Sequence, residues 1–136
     1  MKKIIWNDQF SVRVRTMDDQ HQNIIYLFNK LVDNVEAKAG SETVSDVLAE
    51  MVEYASEHFG TEEKLLSDHA YPYLQQQINE HREFRQQAGK FCLLASQGDE
   101  KMTHDLVNYL HDWWTNHILV EDKKYAALVG DTGKFD

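Results

Sequence analysis

The sequence predicts an all-α fold, an up-down-up-down antiparallel four-helix bundle with an extended N-terminal arm, and three observations lead there. Breaks are few: Pro72 is the one proline, and most glycines fall between periodic stretches, at Gly40, Gly98, Gly130 and Gly133. Between these breaks, four long segments carry apolar residues at three- and four-residue steps. The connections between them are short, which makes consecutive helices antiparallel neighbours.

The first helix is expected over roughly Asp18 to Lys38, with His21, Ile25, Phe28, Val32 and Val35 on one face and Asp18 or a neighbour as its cap. The second, roughly Glu42 to Ser67, places Val44, Leu48, Met51, Ala55, His58, Glu62 and Leu65 on one stripe. The third follows SDHAYP, with Pro72 suited to its first turn, and aligns Leu74, Gln77, His81, Phe84, Ala88, Phe91 and Ala95. The fourth, roughly Lys101 to Leu128, aligns Leu106, Leu110, Trp113 and His117. An arm over 1–17, with Trp6 and Phe10, is expected to pack across the bundle, and 129–136 forms a tail. The whole of 1–136 reads as one domain, a length that supports a full hydrophobic core.

Composition narrows the function. With 14 Lys+Arg against 23 Asp+Glu, the net charge of −9 opposes nucleic acid and anionic membrane as partners. The opening MKKIIWNDQF has no small-residue cleavage site, and no apolar run reaches membrane-spanning length, so a soluble cytoplasmic protein is expected. Nothing calls for an obligatory protein partner. Cys92 is alone, which excludes an internal disulfide and suggests a small core residue.

The informative residues are polar ones interrupting apolar stripes. His58 and Glu62 sit one turn apart on one face, among Val, Leu, Met and Ala. A buried carboxylate needs a partner to offset its desolvation, and no Lys or Arg shares that stripe; a cation would serve. His21, His81 and His117 fall on the stripes of the other three helices. In an up-and-down bundle, the start of helix one, the end of helix two, the start of helix three and the end of helix four share one end of the molecule. The four histidines and Glu62 obey that rule. Imidazole with carboxylate suits iron, manganese or zinc, and two bridged metals would use this many ligands better than one.

A second carboxylate from helix four is less obvious. Regular spacing prefers Glu121, four residues after His117, because Asp122 would lie roughly 140° around an ideal helix. The same regular helix would turn Lys124 into the core. One extra residue, a π-bulge between His117 and Asp122, brings Asp122 to the His117 face and exchanges Lys124 for Tyr125, with Val129 following. Asp122 is therefore the better candidate. His104 and His111 lie off the stripe and read as surface residues, His69 falls in a loop at the metal end, and Trp113 and Phe84 read as packing.

The stretches MDDQHQNI, HFGTEEKLL, AYP followed by HREF, and DWWTNHILVEDKKY resemble the hemerythrins, most closely the bacterial ones, in order and spacing over nearly the whole chain. The resemblance implies the same up-down four-helix bundle. The resemblance implies two non-haem iron ions and dioxygen as ligand, for storage, delivery or sensing. It implies His21 and His58 on one iron, His81 and His117 on the other, and Glu62 and Asp122 as bridges. There are two departures. Gln77 stands where the family usually has a fifth histidine, and could act as a weak or water-mediated ligand. Trp114 stands where relatives often have a smaller apolar residue lining the oxygen pocket. An open position at Gln77 gives an alternative, an oxidoreductase acting on peroxide or nitric oxide; a metal-dependent structural or signalling module is the third reading. A ferritin-type oxidase is disfavoured, because paired Glu-x-x-His motifs are absent.

Overall fold

The computed structural model describes residues 2–98 and 100–129, the side chain of Glu100 excepted. From residue 130 on, the expected tail lies outside the described residues. The elements are α1 (Arg15–Glu36), α2 (Ser41–Asp68), α3 (Leu74–Ala95) and α4 (Glu100–Asn116), which continues through a π-helical turn (His117–Asp122) into α5 (Lys123–Val129). The described residues contain no strand, and α1 to α4 close a ring in which each packs on its two neighbours. None of these helices is long and apolar enough to cross a membrane.

The α1 start corrects one expectation. Asp18 does not cap the helix but lies within its first turn, since α1 begins at Arg15 behind an extended Val14 that offers no side-chain oxygen. The Asp18 carboxylate instead accepts from Ser11 Oγ at 2.6 Å and the Val12 N–H at 2.8 Å. It thereby fastens the arm to the bundle, and Lys123 Nζ adds a bond to Ser11 O at 2.7 Å. The arm carries a 3-10 turn at Asp8–Phe10. Asn29 holds it further up, exchanging two hydrogen bonds with the Ile4 backbone at 2.9 and 2.8 Å.

Pro72 is also displaced from its expected place. The α2 helix ends with Ala70 in the left-handed region (φ 51°), the Tyr71 N–H bonding back to Leu66 O at 2.9 Å and the Ala70 N–H to Ser67 O at 3.0 Å. This is a Schellman ending, and it places Tyr71 and Leu66 in the same apolar cluster. The chain then turns through Tyr71–Leu74, where the Leu74 N–H bonds to Tyr71 O at 3.2 Å with Pro72 at the second turn position. The α3 helix starts only after this turn.

The core has two parts. The larger is shared by α1 to α4 and includes Phe28, Leu31, Leu48, Met51, Phe84, Leu106 and Leu110. The smaller, at the end where α2 hands over to α3, holds Val12, Val14, Met17, Leu65, Leu66, Tyr71, Tyr125 and Val129. Cys92 is half-buried against the larger core.

Candidate metal centre

Between the two apolar clusters the helices bury a polar layer: His21, His58, Glu62, Gln77, His81, His117 and Asp122 are each at most 1% exposed. Helical spacing delivers His58 and Glu62 from α2, and Gln77 and His81 from α3, as one-turn pairs. The π turn delivers His117 and Asp122 together, and the extra residue leaves Lys124 exposed and Tyr125 buried. Glu121, the regular-spacing candidate, stays outside the layer, where it accepts from Gln76 Nε2 at 2.9 Å and Lys124 Nζ at 3.2 Å.

The two carboxylates stand between two pairs of imidazoles. Glu62 Oε2 lies 3.6 Å from both His21 Nε2 and His58 Nε2, while its Oε1 lies 2.9 Å from His81 Nε2 and 3.6 Å from His117 Nε2. Asp122 repeats the pattern, with Oδ2 3.2 Å from His21 Nε2 and Oδ1 3.2 Å from His117 Nε2. His81 and His117 bring their Nε2 atoms to 3.3 Å. Two groups, His21–His58–Glu62 and Glu62–His81–His117, each keep their ligand-type atoms within 4.8 Å of one another.

A cation fits this donor set for two reasons. Both ring nitrogens of His21, Nε2 of His58, Oε1 of Glu62 and Oδ2 of Asp122 are buried with no hydrogen-bond partner among the described residues. Such orphaned atoms are costly unless something else satisfies them. Second, the charges are out of balance. Burial pushes Asp122 upward and the neighbouring Glu62 carboxylate pushes it further. Burial alone would raise Glu62 too, but His58, His117, His21 and His81 outweigh it and hold Glu62 well below the usual carboxylate range. Burial would likewise lower His21 and His117; the Asp122 and Glu62 carboxylates override it and raise them to about 9 and about 10. His58, less well compensated, is driven by burial down to about 3. Protons here do a job that metal ions with neutral imidazole and ionised carboxylate ligands would do better.

Sequence reasoning missed the groups behind the layer. His58 Nδ1 meets Gln20 Oε1 at 2.6 Å, His81 Nδ1 meets Glu63 Oε2 at 2.7 Å, and His117 Nδ1 meets Glu80 Oε1 at 2.9 Å. Tyr125 donates its hydroxyl to Glu62 Oε2 at 2.8 Å, and Gln77 Nε2 donates to Asp122 Oδ1 at 2.9 Å. The only signal for Gln20, Glu63 and Glu80 is adjacency in sequence to a candidate ligand, which a solvated flank position would show equally.

Aromatic rings pack around the layer. Phe59 stacks on His81 with centroids 3.9 Å apart, and Trp113 stacks on His117 at 4.5 Å. Trp114 is fully buried, stacked on Phe59 at 5.6 Å and 6.3 Å from the His58 ring. The other histidines stay away: His69 caps the end of α2 with Nδ1 2.9 Å from Leu65 O, His111 faces Asp112 at 3.1 Å, and His104 is exposed.

Fold and cluster together define a class, a four-helix bundle with a buried histidine and carboxylate cation-binding layer near one end. Residues 12–129 match the family model of the hemerythrin HHE cation binding domain, and the chain belongs to that family. Among curated relatives, a bacteriohemerythrin of Stenotrophomonas maltophilia is 29% identical over 129 residues, covering 95% of this chain and 83% of its own. A bacteriohemerythrin of Clostridium acetobutylicum is 26% identical over 125 residues, covering 89% and 97%. The myohemerythrin of Riftia pachyptila is 27% identical over 123 residues, covering 90% and 91%. The crystal structure of a wild-type hemerythrin superposes with a TM-score of 0.82 at 24% identity, over 95% of this chain and 99% of that one.

Proposed function

We propose that this chain holds two iron ions and binds dioxygen reversibly between its helices, for storage, delivery or sensing. The observation that carries this reading is the double presentation of both carboxylates: Glu62 and Asp122 each offer one oxygen to the His21/His58 side and the other to the His81/His117 side. That is the arrangement a bridging ligand needs. His21 and His58 would hold one ion, His81 and His117 the other. Family membership, and relatives named bacteriohemerythrin and myohemerythrin, support iron and oxygen as the cargo.

Two ferrous ions held by His21, His58, His81 and His117 would supply the electrons that reversible oxygen binding needs. The chain's own contribution is control. Tyr125 holds Glu62 in place through its hydroxyl, and Gln77 holds Asp122 through its amide. Trp114 and Phe59, fully buried, wall the site and keep water from it, with Trp114 lining the oxygen pocket. The chain, 1–136, works as one domain, in the cytoplasm.

Anaerobic loading with ferrous iron followed by oxygen tests this. The expected result is a visible absorption band that appears with oxygen and vanishes when oxygen is removed; a band that never reverses contradicts the carrier reading. A second reading, turnover of peroxide or nitric oxide, rests on Gln77, whose Oε1 is buried without a partner among the described residues while its Nε2 is committed to Asp122. The His81/His117 ion would then keep an open position. Steady-state turnover that Gln77→His abolishes would favour this second reading.

A further inference from the structure

The two sides of the centre match in their imidazole and carboxylate donors and differ behind them. Each side has two imidazoles and one oxygen from each of Glu62 and Asp122. The hydrogen bonds to the carboxylates are also balanced. Tyr125 donates to Glu62 Oε2, on the His21/His58 side, and Gln77 to Asp122 Oδ1, on the His117 side, so each side has one bridging oxygen weakened once.

The outer partners are unequal. His81 and His117 direct their Nδ1 atoms at carboxylates, Glu63 at 2.7 Å and Glu80 at 2.9 Å. His58 faces the neutral amide oxygen of Gln20 at 2.6 Å, and His21 Nδ1 has no hydrogen-bond partner among the described residues. A carboxylate that takes the Nδ1 proton in hydrogen bond fixes the tautomer and makes Nε2 a better donor. It also puts negative charge within a few ångströms of the cation. An imidazole with no outer partner has neither advantage. Arg85 lies over the Phe59 ring of the Phe59–His81 stack at 5.3 Å and bonds to Ser56 on the exposed side, where solvent screens its charge.

We propose that the centre fills in order: the first divalent first-row metal ion enters the His81/His117 side, and the His21/His58 side fills second and empties first. This rests on the two-metal reading and adds the order of loading. Outer partners of this kind are worth roughly 10- to 100-fold in metal affinity, so the two dissociation constants should differ by about that factor. Over the intervening range of free metal the chain carries one ion.

The test is a titration of the metal-free full-length chain with cobalt(II) against a competing chelator, read from cobalt absorption. Wild type should bind two ions in two steps. Glu63→Gln with Glu80→Gln keeps a hydrogen-bond acceptor for each ring and removes the charge. The pair should weaken the tight step toward the weak one and leave the weak step in place. Gln20→Glu should narrow the gap from the other side by tightening the weak step. Glu63 and Glu80 have side chains 26% and 24% exposed, so the amides fit their places, and far-ultraviolet circular dichroism checks the fold. Two equal steps in wild type, or a gap that survives the double variant, overturns the ordering while leaving two-metal binding intact. So does anomalous density at His21/His58 alone in crystals grown with one equivalent. Fewer than two ions at saturation overturns the two-metal reading itself.

Discussion

The polar layer has apolar packing on both sides, and the two sides are built by different means. The larger core draws Leu31, Leu48, Met51, Phe84, Leu106 and Leu110 from four regular helices, each presenting one face by ordinary 3.6-residue periodicity, and adds Ile4 and Phe10 of the arm and Ile118 of the π turn. The smaller cluster is assembled from the arm (Val12, Val14), the end of α2 (Leu65, Leu66), the turn after it (Tyr71), and Tyr125 and Val129 beyond the π turn. The arm's attachment at Asp18 brings in Val12 and Val14, and the phase change at His117–Asp122 brings in Tyr125 and Val129. Tyr125 belongs to both the cluster and the centre, packing in one and donating to Glu62 in the other. Phe59 and Trp114 of the larger core wall one side of the polar layer, while the smaller cluster closes the other and positions Glu62 through Tyr125.

Deletions give the largest expected effect. Leu119 lies in the π turn and is 37% exposed. Removing it restores regular spacing, keeps Asp122 and Tyr125 in phase, and should leave two metals per chain. Removing exposed Asn108 from α4 rotates His117 by about 100° about the helix axis and should cost metal. Metal analysis of the two variants checks this; equal retention or equal loss would break the phase argument.

Leucine truncations should separate the two apolar regions. Leu48→Ala and Leu66→Ala each empty a fully buried site, at about 2–5 kcal/mol by chemical denaturation. Leu48→Ala should leave the rate of metal loss to a chelator unchanged, while Leu66→Ala should speed it, because Leu66 shares a cluster with Tyr125. Equal rates would mean that the smaller cluster does not guard the centre.

The metal-free protein should respond to pH on both sides of about 6.5, the ordinary histidine value. His21 and His117 are raised, to about 9 and about 10, so their stabilisation is complete below 6.5 and is lost as pH climbs through those values. His58 is lowered to about 3, so its share is present above 6.5 and is lost as pH falls toward 3. Melting temperature should therefore peak near neutrality, and bound metal should remove the alkaline decline by holding the imidazoles neutral. An alkaline decline that metal leaves untouched would contradict the assignment of His21 and His117 to one polar layer.

Much of this was legible in the sequence because it follows from period and topology. Helical stripes place His21, His58, Glu62, His81 and His117, and chain direction sends them to one end. The π turn was legible from a conflict, since a regular helix would have buried Lys124. The remainder depends on contacts with no periodic signature. Asp18 looks like a cap and serves as a clasp for the arm, because the helix starts at Arg15. Pro72 looks like a helix opener and sits in a turn, because the left-handed Ala70 ends α2 in a way that needs one. Gln20, Glu63 and Glu80 look like any solvated neighbour of a buried residue until the partner helix brings an imidazole to them.

The central claim is that Glu62 and Asp122 are shared between two ions that four histidines hold. Iron content per chain, measured for wild type and for Glu62→Gln after identical anaerobic loading and desalting, tests it most directly. The account predicts two irons in wild type and a loss from both sides in the variant, to below one. Wild type retaining a single iron, or a variant that keeps two, would contradict it.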